Sequence, residues 1–68
     1  MNVLVNGEER ELRDGARLVD AVVASGAPED HRGVAAAVNG EVVPRGQWDL
    51  LKLSDGARVE VLQAVQGG

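Results

Sequence analysis

The sequence predicts an α+β domain, a mixed sheet of four to five strands with one main helix packed on one face. Three observations carry this expectation. Valine is the commonest residue of the 68, and isoleucine, phenylalanine and tyrosine contribute nothing; a valine-rich apolar set suits a pleated, half-buried surface. Short valine runs end in Asn6-Gly7 and Asn39-Gly40, and Asn-Gly supplies the positive backbone angles of a tight hairpin turn. One segment, Leu18 to Ala24, shows helical spacing of its apolar residues.

Taken in order, Val3-Leu4-Val5 is the first strand, and Glu8 to Leu12 is its polar return with Leu12 turned inward. Asp14-Gly15 breaks the pattern. In Leu18–Ala24 the pairs Leu18/Val22 and Val19/Val23 stand at i,i+4 around Ala21, which makes a wide apolar stripe. Gly26 fits the left-handed position past the helix end, and Pro28 blocks continuation. Arg17 stands where a Ser, Thr or Asp cap is expected, so this short helix depends on packing.

Glu29 to Arg32 reads as a solvated loop. Val34 to Val38 is a small-residue strand. Val42-Val43 follows it and is stopped by Pro44, which favours an edge position. Gly46 to Leu53 is irregular and contains Trp48, the one large plug for an aliphatic core; Arg45 beside it reads as a surface residue. Ser54-Asp55-Gly56 is a turn. Arg58 to Val65 is the last strand, with Val59 and Val61 on one face and Glu60, Leu62 and Ala64 on the other. The first and last strands can pair in parallel in mid-sheet, because the helix supplies the crossover. Val-Asn-Gly-Glu occurs at Val5 and Val38, and Asp-Gly-Ala-Arg at Asp14 and Asp55. The two offsets differ, so these strings are turn chemistry used twice and not a repeat.

Composition excludes several functions. A chain of 68 residues makes one domain. Without cysteine there is no disulfide framework and no thiolate metal site. A net charge of -4 argues against nucleic acid as a partner. No apolar run approaches the ~18 residues that span a membrane, and no secretory signal opens the chain. A soluble cytoplasmic protein, monomeric when free, is the expectation. The single histidine, His31, lies in the charged loop, so neither a catalytic triad nor a metal cluster can be assembled. The sole lysine, Lys52, follows leucines and belongs to no phosphate-binding loop.

The feature left over is Gly67-Gly68. Glycine has no side chain, so a Gly-Gly end can thread a narrow channel and deliver its carboxylate to another protein's active site. Val65 to Gly68 reach at most ~13–14 Å, and this flexible tail (65–68) is set apart from a folded domain at 1–64. A carboxylate is a poor electrophile and must be activated, typically as an acyl-adenylate. An amine then gives protein conjugation, and sulfide gives a thiocarboxylate. With no cysteine in the chain, carried sulfur has to sit on the Gly68 carboxyl.

The sequence resembles the ThiS family of small sulfur carriers of thiamine thiazole synthesis, which have the ubiquitin-like β-grasp fold. The matching segments are Val3 to Gly7, Leu18 to Gly26, Ala36 to Gly40, Val43-Pro44-Arg45-Gly46-Gln47-Trp48, Asp55 to Val61 and Val65-Gln66-Gly67-Gly68. Val-Pro-Arg-x-x-Trp together with the Gly-Gly end is the most specific part. Ala57 stands where the family usually has Asp, and Arg17 where Thr or Ser is common. The resemblance implies a carrier substrate and not an enzyme, with no cofactor bound by the chain itself. A ThiF-type adenylating enzyme would use ATP and magnesium to form the Gly68 adenylate. A sulfur donor such as a cysteine desulfurase would lead to the thiocarboxylate, and a ThiG-type thiazole synthase would take the sulfur. Gln66 and Gly67 would enter the partner with Gly68. If the first and last strands pair, Leu4 and Leu62 share the face opposite the helix, near Ala64, and this apolar patch rimmed by Glu60 suits a docking partner. A molybdopterin-type carrier, a ubiquitin-like protein modifier and a non-covalent β-grasp interaction module are the alternatives.

Overall fold

A computed structural model describes residues 1–64. β1 (Asn2–Val5) and β2 (Glu8–Glu11) form an antiparallel hairpin with Val5 opposite Glu8. α1 (Leu18–Ala24) follows, then β3 (Val34–Val38) and β4 (Glu41–Val43), paired with Val38 opposite Glu41. A single 3₁₀ turn at Arg45–Gln47 precedes β5 (Arg58–Gln63). The sheet order is β2-β1-β5-β3-β4. The last strand is therefore central, parallel to β1 on one side and antiparallel to β3 on the other. β4 takes the edge, as Pro44 requires.

The two repeated strings acquire a structural cause. Asn6 and Asn39 both have positive φ, 51° and 50°, at the first corner of their turns. β1 and β3 flank β5 and run in opposite directions, so the two turns lie against opposite halves of that strand. The Asn6 Oδ1 accepts the Val61 N–H at 2.8 Å, and the Asn39 Oδ1 accepts the Arg58 N–H at 3.0 Å. In the other string, each glycine turn is followed by a buried alanine, Ala16 or Ala57. Each aspartate reaches the start of the chain: Asp55 accepts the Asn2 N–H at 2.7 Å, and Asp14 lies 3.4 Å from the Met1 ammonium.

α1 spans the expected residues but buries a narrower stripe. Leu18, Ala21 and Val22 are buried and Val19 is half-buried, while Val23 is 64% exposed. At about 100° per residue, Val23 stands roughly 140° around the helix from Leu18 and about 100° from Val22, so it turns away from the sheet that those two face. The missing side-chain cap is replaced by other groups. The Leu18 and Val19 N–H groups donate to the carbonyls of Leu51 and Trp48, at 2.9 and 3.0 Å. The Asp20 carboxylate accepts the Arg17 N–H at 2.8 Å and pairs with the Arg13 guanidinium at 3.3 Å. These satisfy donors that a helix start leaves orphaned, and an acidic group there suits the helix dipole. Gly26, at φ +85°, ends the helix in the left-handed conformation.

The core lies between α1 and the sheet and is built from Val3, Val5, Leu18, Val22, Val59 and the Trp48 ring. Trp48 is 2% exposed, and its Nε1 donates to the Val43 carbonyl at 2.8 Å, which satisfies the polar edge of a buried indole. Arg45 is exposed at the surface, as expected, and its guanidinium donates to the His31 carbonyl. The reading of the loop needs correction. His31 is not simply solvated. It is half-buried, with its ring centroid 5.3 Å from that of Trp48 and its backbone at φ 56°. Among the described residues the last strand runs Arg58–Gln63, which leaves Ala64 outside it, and Val65 lies outside the described residues.

Candidate functional site

Alternation along β5 sends Val59 and Val61 into the core and leaves Glu60 and Leu62 on the open face of the sheet. The register sets their neighbours. Leu62 is opposite Ala35, and Glu60 is opposite Ala37, which is in turn opposite Val42 on the edge strand. Leu62 and Val42 are 67% and 76% exposed. These residues, with Ala36 and Gly40, line one shallow hollow whose lining is apolar apart from Glu60. Sequence reasoning had not singled out Ala35, Ala37 and Val42. The signal was present: a two-residue Asn39-Gly40 hairpin fixes Val38 against Glu41, and Ala37 against Val42 follows.

Leu4 lies on the same open face but elsewhere on it. It pairs with Arg58, four residues before Leu62, so the two leucines are separated by about 13 Å along the strands. Its neighbours are Glu9 and Gly56, and its exposure is 37%. Leu4 and Leu62 therefore share a face without touching.

Ala64 follows β5 and is exposed. Its N–H donates to the Gly33 carbonyl at 2.8 Å, one further bond beyond the last strand residue. An open groove at this point is lined by Pro28, Asp30, Arg32, Gly33, Gln63 and Ala64. Gln66, Gly67 and Gly68, with Val65, lie outside the described residues. Among the described residues no three His, Asp or Glu side chains converge as a metal site requires, and no helix is long and apolar enough to cross a membrane. The chemistry available to this end of the molecule is recognition: a central strand held on both sides, an apolar face beside it, and a departure point for residue 65.

This geometry belongs with a known pattern. A family model described as the ThiS family matches residues 3–68. The chain belongs to the ThiS family. The structure is similar to a crystal structure of the thiamine biosynthesis protein ThiS from Geobacter metallireducens, with 32% identity, complete coverage of both chains and a TM-score of 0.73. It is also similar to an NMR solution structure of a thiamine biosynthesis protein from the same organism, with 28% identity over all of this chain and 88% of the other, and a TM-score of 0.75. No curated protein matches. ThiS-family membership supports a sulfur-carrier role and identifies the five-stranded sheet with its single helix as the ubiquitin-like β-grasp fold.

Proposed function

We propose that this protein carries sulfur on the Gly68 carboxyl for thiazole formation in thiamine biosynthesis. The observation that carries the reading is the family match, which runs through Gly67-Gly68 on a chain without cysteine. In the proposed cycle, the Gly68 carboxylate attacks the α-phosphorus of ATP in a ThiF-type adenylating enzyme, with magnesium held by that partner, and pyrophosphate leaves. A persulfide formed by a cysteine desulfurase attacks the acyl carbon and AMP leaves; a thiol reductant then cleaves the resulting acyl disulfide, itself becoming oxidised to a disulfide, and the thiocarboxylate is released. A ThiG-type thiazole synthase then takes the sulfur. Gln66 and Gly67 enter the partner's channel with Gly68.

The described residues would contribute binding and orientation. The hollow of Leu62, Ala35, Ala37 and Val42 offers apolar area to a partner, and Glu60, the one charged residue of its lining, would select a basic group opposite. Leu4 would form a separate contact at the other end of the same face, and Ala64 would mark where the reacting segment begins. Deleting Gly68 tests the assignment. The variant is expected to keep the wild-type melting temperature and to form no thiocarboxylate with active partners. Retained sulfur transfer would refute the role of Gly68.

A further inference from the structure

Arg45 and Trp48 stand in the most distinctive string of the sequence, yet the carrier cycle gives them no task. Both converge on one loop. The Trp48 ring is fixed in the core by burial and by its bond to the Val43 carbonyl. His31 packs its ring against that of Trp48 at 5.3 Å, tilted by 54°. The His31 carbonyl accepts from the Arg45 guanidinium and from the Val34 N–H. His31 has left-handed backbone, φ 56°, and a non-glycine residue persists there when its surroundings hold it. Two residues on, Gly33 is also left-handed at φ +68°, and its carbonyl accepts the Ala64 N–H at 2.8 Å. A side chain at position 33 would meet Ala64, with a Cβ there 3.5 Å from the Ala64 Cβ, so the loop passes directly beside the strand end.

We propose that Arg45 and Trp48, acting through His31 and Gly33, are positioning residues that set where the C-terminal segment leaves the fold. The proposal rests on the carrier reading and deepens it. Neither residue touches the docking hollow. They fix the loop, the loop fixes Ala64, and Ala64 is the last described residue before the segment whose carboxyl is to react. The distance from a docked body to an active site is then a property of this junction, and a misplacement of ~1 Å can cost on the order of a hundredfold in rate.

The test uses the full chain in three forms beside wild type: Arg45→Ala, Arg45→Lys and His31→Gly, the last compatible with a left-handed backbone. Amide hydrogen exchange is read at Ala64, with Val59 and Val61 as internal references. ATP–pyrophosphate exchange is measured with a ThiF-type adenylating enzyme over a range of carrier concentrations. Arg45→Ala and His31→Gly are expected to exchange about tenfold faster at Ala64 with Val61 unchanged, because only the loop–strand junction opens. Their kcat is expected to fall about tenfold with KM within about twofold, the sign of lost positioning rather than lost docking. Arg45→Lys keeps one N–H donor and is expected to restore both quantities. Unchanged exchange at Ala64 in Arg45→Ala overturns the coupling. Faster exchange with unchanged kcat overturns the positioning role and leaves Arg45 a purely structural residue. A wild-type chain that supports no pyrophosphate exchange overturns the carrier reading instead, while Ala64 exchange still decides the coupling.

Discussion

The Asn6 carboxamide grips both polar groups of the Val61 main chain, 55 residues away: its Oδ1 accepts the Val61 N–H at 2.8 Å, and its Nδ2 donates to the Val61 carbonyl at 3.1 Å. β1 has ended at Val5, so a side chain continues the parallel pairing where the backbone turns away. The Asn39 side chain does half as much on the other side of β5, its Oδ1 accepting the Arg58 N–H while the Asn39 backbone N–H donates to the Arg58 carbonyl at 2.8 Å. Replacing each by glycine keeps the left-handed turn and removes only the side-chain bonds. Asn6→Gly is expected to cost about 1–3 kcal/mol and Asn39→Gly about half of that, at ~0.5–1.5 kcal/mol per net hydrogen bond. Urea denaturation checks this. Equal losses from the two variants would contradict the assignment.

α1 makes a sharper contrast within one helix. Leu18 is wholly buried and Val23 is mostly exposed, though both belong to the same apolar pattern. Leu18→Ala leaves a cavity and is expected to cost about 2–5 kcal/mol. That is a large part of the ~3–10 kcal/mol such a domain holds. Val23→Ala is expected to change stability by less than about 0.5 kcal/mol, as surface substitutions do. Thermal melts of the two variants decide it, and comparable losses would mean that Val23 is packed.

On the open face, Leu62→Asp places a charge on a residue that already meets water. Stability is expected to stay within about 0.5 kcal/mol of wild type. Affinity for the adenylating partner is expected to fall at least about tenfold, because a carboxylate replaces an apolar side chain of the hollow's lining and adds to the charge of Glu60. Titration calorimetry measures it. Unchanged affinity would remove this face from the docking surface.

Most of the fold was legible in local chemistry. Asn6-Gly7 and Asn39-Gly40 dictate two hairpins, Gly26 and Pro28 end the helix, Pro44 sends β4 to the edge, and the parallel β1–β5 pair follows from the helical crossover. What stayed hidden depends on contacts between distant residues. Nothing in the spacing of His31 and Arg45 shows that a guanidinium meets a loop carbonyl, and nothing around Arg17 shows that Trp48 and Leu51 carbonyls replace a cap. The width of the α1 stripe was overread because periodicity gives the direction of a face and not the extent of its partner. On the site, Leu62 was found by strand alternation. Ala35, Ala37 and Val42 required the hairpin register to be carried across to β5, and the separation of Leu4 from Leu62 required the register of the parallel pair. Gln66, Gly67 and Gly68 rest on the sequence and the family match alone.

The central claim concerns one atom on Gly68, and intact mass spectrometry reads it directly. The wild-type chain is incubated with ATP, magnesium, a ThiF-type adenylating enzyme, a cysteine desulfurase with its cysteine substrate, and a thiol reductant that supplies the two electrons needed to release the thiocarboxylate. The expected result is a shift equal to the replacement of one oxygen by sulfur, localised to Gly68 and absent without ATP. An unchanged mass with partners that are active on their own carrier, or ladders of this chain on lysines of other proteins, would contradict it.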